Sequence, residues 1–332
     1  MQAIVQDTYG PPEVLRLREI DKPVAGNDEV LVRVRAAGVD QGVWHVMSGQ
    51  PYMMRVIGFG LRAPKVRVRG DDVAGTVEAV GANVTGFRPG DEVFGACEGT
   101  DSGSFAEYAC ARADRLVPKP AKLTFEQAAA VPASGCTALK AVRDKGEVRA
   151  GQRVLIIGAG GGVGSFAVQL AKASDAEVTG VCSAAKADLV RSIGADHVID
   201  YTREDFADGR QRYDVIIDTA GNRRLPVLRR ALTPRGTLVI AGGEAAGKWL
   251  MGLDRQLRAL VLSPFVGQKL RSFVSLVREE DLQALTALVE AGKITPAVGQ
   301  TYPLSEAPEA IRDLRAGRAR GKLVITVLTS ER

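Results

Sequence analysis

The hydrophobic pattern divides the chain into three stretches. In the first, Val30, Val32 and Val34 alternate with Leu31, Arg33 and Arg35, the period of a strand with one buried face. VAGTVEAVG, DEVFG and SFAEYACARADRLVPKP continue as short apolar runs, punctuated by glycine and by Arg88-Pro89-Gly90. The first third is therefore predicted to be β-rich. Residues 55–69 are basic and aperiodic, and are predicted to form a loop.

The period changes near Leu123. Thr124 followed by Gln127 spells a capping box. Pro132 interrupts the helical pattern, and 134–145 resumes it. Apolar runs at 154–157, 178–182, 215–218 and 238–241 then alternate with helical segments at 163–173, 186–193 and 225–232. That βαβα rhythm predicts a parallel sheet with right-handed crossovers. The tail offers an amphipathic helix over 282–291 stopped by Gly292, a strand at VGQTYPL, a helix capped by Ser305, and a strand over 322–327. The predicted fold class is α/β: a β-rich domain (1–123), a doubly wound Rossmann domain (124–267), and a tail (268–332) that returns to the first.

Composition adds limits. With 45% hydrophobic and 25% charged residues, the 332-residue chain has the balance of a globular protein of about two domains. Its net charge of +5 is too diffuse to argue for nucleic acid and suits an anionic ligand. The four cysteines, Cys97, Cys110, Cys136 and Cys182, form no C-x-x-C pair, so neither a disulfide framework nor a zinc cluster is expected. MQAIVQDTYG lacks the pattern of a signal peptide, and the expected location is cytoplasmic.

The strongest motif is VLIIGAGGGVG, residues 154–164. Ala159, Gly161 and Gly164 occupy the three positions of a G-x-G-x-x-G turn between a strand and a helix. The first residue allows the tight turn, Gly161 lets backbone approach a pyrophosphate, and Gly164 lets the helix pack on the strand. Gly162 and Val163 open the helix, whose free N–H groups would face the phosphates. An acid after the second strand would repel a 2′-phosphate, but the chain has none between Val181 and Lys186. Ser183 can donate a hydrogen bond there and Lys186 can supply charge, which points to NADP(H); a solvated Lys186 is the plainer alternative.

EVLVRVRAAGV, DVAGTVEAVG with FRPGDEVFG, AAAVPASGCTALKAV, VLIIGAGGGVG, IGADHVIDY and GKLVITV together span the chain in order. In these segments it resembles the medium-chain dehydrogenase/reductase superfamily, and within it the zinc-free quinone oxidoreductase (zeta-crystallin-like) branch. The resemblance implies a GroES-like substrate domain, a Rossmann domain between its two parts, and an active site in the cleft. It implies that Tyr201 lies against the 2′-phosphate and Thr137 near the nicotinamide carboxamide, although a helix hydroxyl such as Thr137 also commonly bonds its own backbone. Thr219, in Asp218-Thr219-Ala220, and Gly242, in Ala241-Gly242-Gly243, would line the ligand side of the sheet. Phe265 and Val266 would offer backbone to the nicotinamide.

The zinc-type relatives carry a cysteine after the first strand, a GHE segment and a four-cysteine loop. This chain has Asp40 at the first place and Gly70-Asp71-Asp72 at the second, and it lacks the loop. Its two histidines, His45 and His197, fall in different predicted domains, and Asp71 and Asp72 are expected as turn residues or arginine partners. No metal is expected. Asp40, Trp44, His45 and Tyr52 are the substrate-pocket candidates; a lone histidine is ordinarily structural. Arg62, Lys65, Arg67 and Arg69 are either a solvated loop or a hold for an anion. The expected activity is NADPH-dependent reduction of a quinone or activated alkene, with no catalytic residue assigned. The alternatives are an NADPH-binding protein of little turnover acting through a partner or RNA, and a reductase of larger enoyl substrates. A small-molecule substrate, no membrane or nucleic-acid partner, and a homodimer paired through residues 259–267 are also expected.

Overall fold

The structure is a computed structural model and describes residues 1–242, Trp249 and 253–327. The chain begins with strands β1 (Gln2–Val5), β2 (Arg16–Glu19) and β3 (Glu29–Val39), then helix α1 (Gln41–Ser48). Strands β4 (Asp72–Val80), β5 (Glu92–Ala96), β6 (Tyr108–Arg112) and β7 (Leu116–Pro118) follow, and helices α2 (Phe125–Ala129) and α3 (Pro132–Leu139) close this stretch. The middle alternates β8 (Arg153–Ile157), α4 (Gly162–Ala173), β9 (Glu177–Cys182), α5 (Ala187–Ser192), β10 (His197–Asp200), β11 (Tyr213–Asp218), α6 (Leu225–Ala231), β12 (Leu232–Ile240), α7 (Leu253–Leu262) and β13 (Lys269–Ser272). The tail adds α8 (Glu279–Glu290), β14 (Val298–Pro303), α9 (Ala307–Arg315) and β15 (Lys322–Thr326).

Two compact units result. The first holds residues 1–136, 277–291 and 296–332; the second holds 137–276 and 292–295. The crossing therefore falls at Thr137, not at 124, because the capping-box helix α2 packs on β3 and β4. The return falls at Val277, not at 268, because β13 pairs in parallel with β12.

In the first unit a seven-stranded sheet runs β14-β15-β3-β4-β5-β7, with β6 paired to β3. β3 is its spine: Val30, Val32 and Val34 are fully buried, and the strand pairs antiparallel with β4, β6 and β15. Each such buried aliphatic side chain contributes about 1.5–3 kcal/mol. The capping box at α2 forms in full: Thr124 Oγ1 accepts from the Gln127 N–H at 3.2 Å, and Gln127 Oε1 accepts from the Thr124 N–H at 3.1 Å. Helix α9 differs from expectation. A 3₁₀ turn over Leu304–Glu306 precedes it, and its N-cap is Glu306 with no side-chain cap, so Ser305 does not cap it.

The second unit is a six-stranded parallel sheet in the order β10-β9-β8-β11-β12-β13. The order reverses at β8, the switch point of a doubly wound sheet, outside whose strand carboxyl ends ligands bind. Residues 259–267, expected as an edge strand, are instead the end of α7 and a 3₁₀ turn over Ser263–Phe265. Ala259 is buried in the core while Leu257, Leu260 and Val261 are exposed, a helical distribution, and Pro264 has no N–H for a ladder. The edge strand is β13.

Candidate functional site

Two clusters of sequence-flagged residues form, one within each unit. In the second unit, the buried strand β8 runs into Gly158, whose φ of +85° favours glycine. A Cβ there would lie 2.5 Å from Thr219 Oγ1, which itself donates to the Ile157 carbonyl at 2.8 Å. Gly161 is the N-cap of α4 and supplies no side-chain cap, so the first N–H groups of Gly162, Val163 and Gly164 are left for a ligand. A Cβ on Gly161 would meet only the Gly158 oxygen at 3.4 Å, whereas one on Gly164 would lie 2.1 Å from it. Gly161 therefore keeps an approach open, while Gly164 permits close packing. Ala159 is fully buried beneath the turn.

The neighbouring strand ends close on this turn. Gly242 donates to the Asp218 carbonyl at 3.1 Å, and a Cβ on it would lie 2.3 Å from the Thr219 oxygen. Gly243 lies outside the described residues. Sequence reasoning missed Arg255, on α7. Its guanidinium donates to the buried Asp218 carboxylate at 2.6 Å, to the Arg223 carbonyl at 3.0 Å and to the Gly242 carbonyl at 2.8 Å. It ties the loops after β11 and β12 together. Thr137, at the start of the unit, is partly exposed, and its hydroxyl makes no bond to its own helix.

At the end of β9 the Lys186 stem crosses Gly160, where a Cβ would come within 2.8 Å of it. Ser183 is partly exposed beside it, and Tyr201, half exposed, donates its N–H to the Cys182 carbonyl at 3.2 Å. The three residues expected at a 2′-phosphate thus gather at one corner of the sheet. The same corner holds an acid the chain order conceals: Asp200 stands beside Cys182 in the β9–β10 register. The N–H and hydroxyl of Thr202 hold its carboxyl below the usual range.

Phe265 and Val266 are not brought to this corner. They precede β13 at the amino-terminal edge of the sheet, where Gln268 donates to the Arg229 and Thr233 carbonyls. The turn that does follow β13 at its carboxyl end begins with Phe273 and Val274, and Val274 is 82% exposed. The signal for it was the parallel-strand rule, applied to KLRS instead of to the apolar run before it.

In the first unit, Asp72 opens β4 fully buried. Its Oδ2 lies 2.8 Å from Lys322 Nζ, at the start of β15, and its Oδ1 accepts from the Ala133 N–H at 2.9 Å. Lys322 also donates to Ser134 Oγ at 3.3 Å and lies 3.4 Å from Asp40 Oδ2. Burial works to strip the Lys322 proton, but Asp72 and Asp40 outweigh it and raise its pKa; burial pushes the Asp72 carboxyl up, and Lys322 pulls it back. Asp72 is therefore no turn residue, and its partner is a lysine, not an arginine. Asp71 is partly exposed, and burial, then the charges of Asp40, Asp72 and Glu98, push its carboxyl up to about 7 against the pull of Arg69.

The pocket candidates do not form one group. Asp40 joins the Asp71–Asp72–Lys322 cluster and caps α1, accepting from the Val43 N–H at 3.2 Å. Trp44 packs on the hydrophobic core under the Arg315 guanidinium, 4.5 Å from the ring centre. Tyr52 and Tyr9 flank Arg55, at 4.7 and 4.3 Å. His45 is partly exposed on α1. The basic run also divides. Residues 55–59 form a π-helical turn instead of a loop; Arg67 pairs with Asp7 at 2.9 Å; Arg69 is 3% exposed. Burial pushes Arg69 down to about 10, with Asp71 and Tyr9 opposing. Among the described residues no three His, Cys, Asp or Glu side chains could hold a metal ion, and no helix is long and apolar enough to cross a membrane.

Residues 26–121 match the alcohol dehydrogenase GroES-like domain, and residues 193–325 match a domain described as zinc-binding dehydrogenase. The chain is 34% identical to the human mitochondrial NAD(P)H oxidoreductase RTN4IP1, over 99% of this chain and 89% of that one. It is 32% identical to the quinone oxidoreductase of Mus musculus, over 98% and 97%. The Escherichia coli quinone oxidoreductase, solved in complex with NADPH, superposes with a TM-score of 0.83 at 26% identity, covering 98% of this chain and 100% of that one. The chain belongs to the medium-chain dehydrogenase/reductase superfamily, among its quinone oxidoreductase relatives. At that level it is an oxidoreductase that uses a nicotinamide nucleotide.

Proposed function

We propose that this protein transfers hydride from NADPH to a quinone or an activated alkene, without zinc. The observation that carries the cofactor choice is the Lys186 side chain lying across Gly160, with Ser183 and Tyr201 at the same corner. A phosphate there would gain charge-assisted hydrogen bonds that a hydroxyl would not. The nicotinamide supplies the hydride when bound. The chain's own part is to hold the pyrophosphate on the α4 amino terminus, through Gly161, Gly162, Val163 and Gly164, with Ala159, Thr219 and Gly242 shaping the turn and Thr137 serving the nicotinamide carboxamide. A carbonyl acceptor suits a site in which Asp40 and Asp71 stand where zinc-type relatives have cysteine and histidine. Oxidising an alcohol requires removing a weakly acidic proton, which a metal makes easy. Hydride addition to a conjugated carbonyl spreads charge onto an oxygen that needs only a proton and hydrogen bonds. Four buried, free cysteines fit the reducing, cytoplasmic compartment of this reading.

The test is an assay on metal-stripped protein, with 1,2-naphthoquinone and an enone against short primary and secondary alcohols. Turnover of the first pair with NADPH is expected. Chelator-sensitive alcohol oxidation without quinone or enone turnover would overturn the reading. NADPH binding with no turnover of any acceptor would favour a binding role instead.

A further inference from the structure

The basic run between α1 and β4 is left unused by the proposed function. From Gln41 to Gly70 the sequence holds no acid and five cations: Arg55, Arg62, Lys65, Arg67 and Arg69. Three of them are engaged within the fold. Arg55 stacks between Tyr9 and Tyr52 and donates to the Gly49 and Ser48 carbonyls, both at 2.9 Å. Arg67 pairs with Asp7, and Arg69 is buried. The side chains of Arg62 and Lys65 are exposed, with no hydrogen bond or ion pair among the described residues. The segment that carries them is a closed turn. The Tyr9 hydroxyl donates to the Gly60 carbonyl at 2.6 Å, and the Lys65 N–H donates to the Phe59 carbonyl at 2.9 Å. Its apolar side chains nevertheless stand in water: Val56 is 75% exposed, Leu61 68% and Met53 36%. Exposed apolar side chains gathered on one turn mark a surface that meets something else.

We propose that the turn over residues 53–65 docks the protein on an anionic phospholipid surface. Val56 and Leu61 enter the boundary between headgroups and acyl chains, and Arg62 and Lys65 meet the lipid phosphates. Charge complementarity selects the occupant, since a segment with no acid and two unpaired cations is drawn to a negative surface. Size selects a bilayer over a protein. A stable protein partner needs about 800 Å² from each side, shaped to fit, and three apolar side chains on one turn fall well short. A bilayer takes such side chains without shape-matching, and its interface combines apolar insertion with cation–phosphate attraction. The expected absence of a membrane partner rests on the lack of a spanning run, which does not bear on surface docking. The turn lies wholly within the first unit, and its docking does not depend on the reductase reading. It adds to that reading, because quinones with apolar tails dissolve in bilayers.

Sedimentation of the full chain with vesicles is the test, using phosphatidylcholine alone and phosphatidylcholine mixed about 2:1 with phosphatidylglycerol. Wild type is expected to bind the mixed vesicles, to leave them at high salt, and to ignore phosphatidylcholine alone. Arg62→Gln with Lys65→Gln should weaken binding by roughly 30-fold, about 5-fold for each cation removed from the surface. Val56→Asp with Leu61→Asp should abolish it. Val24→Asp puts the same negative charge in place of an exposed apolar side chain outside the turn, and should bind as wild type does. All the altered side chains are exposed, so the melting temperatures should stay with wild type. Leu61→Trp gives a second reading: on mixed vesicles its emission should shift to the blue and be quenched by brominated acyl chains, over and above the wild-type signal. Failure of wild type to bind mixed vesicles overturns the proposal. So does binding that survives Val56→Asp with Leu61→Asp, or that is lost with Val24→Asp. Binding to polyglutamate as tight as to mixed vesicles, and unaffected by the apolar changes, would overturn it in favour of an acidic protein. None of these readouts uses turnover, so they stand apart from the reductase reading.

Discussion

Two turns gather the sequence-flagged residues, one in each unit, and they are built in opposite ways. The turn after β8 is made of neighbours: Gly158 to Gly164 are consecutive, and their job is to have no side chains where backbone must come close. The turn into β4 is made of strangers. Asp40, Asp72 and Lys322 meet across three strands of one sheet, the last two 250 positions apart in the chain. The first is set by local geometry and leaves backbone N–H groups open to a ligand. The second is set by tertiary pairing and holds charges that water would otherwise keep. A change in the first should act mostly on binding and local packing. A change in the second should act on the whole unit.

The largest effect is expected from Lys322→Met. It leaves Asp72 fully buried with only the Ala133 N–H as partner, and removing one member of a buried pair typically costs about 3–5 kcal/mol. Chemical denaturation should show this as a lowered midpoint with an unchanged slope. Asp72→Leu combined with Lys322→Met should recover much of the loss, because no unpaired charge remains. If the single variant were as stable as wild type, the comparison would fail on its tertiary side.

The second effect is on cofactor choice. On the proposed reading, Lys186→Ala removes one charge-assisted contact to the 2′-phosphate, worth about 1.5–3 kcal/mol or roughly 10–150-fold in NADPH affinity. NADH affinity should hardly change. Titrations of both nucleotides against wild type and variant decide it; an equal loss for both would remove Lys186 from the phosphate corner. Asp200 sharpens the test, since its carboxylate lies at the same corner and opposes a phosphate. Asp200→Asn is expected to shift preference further toward NADPH.

How much of this was legible follows from the same contrast. The β-rich unit, the βαβ rhythm and the Gly158–Gly164 turn were readable, because strand period, capping box and glycine spacing are local codes. Lys322 was visible only as the first residue of a strand; nothing near it says that its amine would be buried against Asp72. Arg69 looked like one of several loop cations, and only its burial separates it from Arg67, which pairs with Asp7 on the surface. Residues 259–267 misled as an edge strand because ALVLSPFVG has the composition of one. Its apolar residues fall at helical spacing, and Pro264 denies it a ladder. The Asp72–Lys322 cluster was hidden for one physical reason: charge pairing across a sheet leaves no periodic mark on either strand.

The smallest effect is also the sharpest test of the local turn, because it separates two glycines of the same motif. A methyl group at Gly164 would lie 2.1 Å from the Gly158 oxygen and 2.8 Å from Ala159 Cα, both backbone, so β8 and α4 must move apart. Overpacking of that kind costs about 1–3 kcal/mol. At Gly161 the only neighbour is the Gly158 oxygen at 3.4 Å, and the backbone is already extended at φ −96°, ψ 179°, which alanine adopts freely. Gly161→Ala should therefore leave stability within about 0.5 kcal/mol of wild type, as surface substitutions usually do. Its methyl group would instead stand where the pyrophosphate must approach, so NADPH binding should fall while the melting temperature holds. Gly164→Ala should lower the melting temperature, and weaken NADPH only as far as the helix end is displaced. Paired melting curves and nucleotide titrations on the two variants settle the assignment. If Gly161→Ala destabilised the fold as much as Gly164→Ala, or bound NADPH as wild type does, the division of labour within the turn would be wrong.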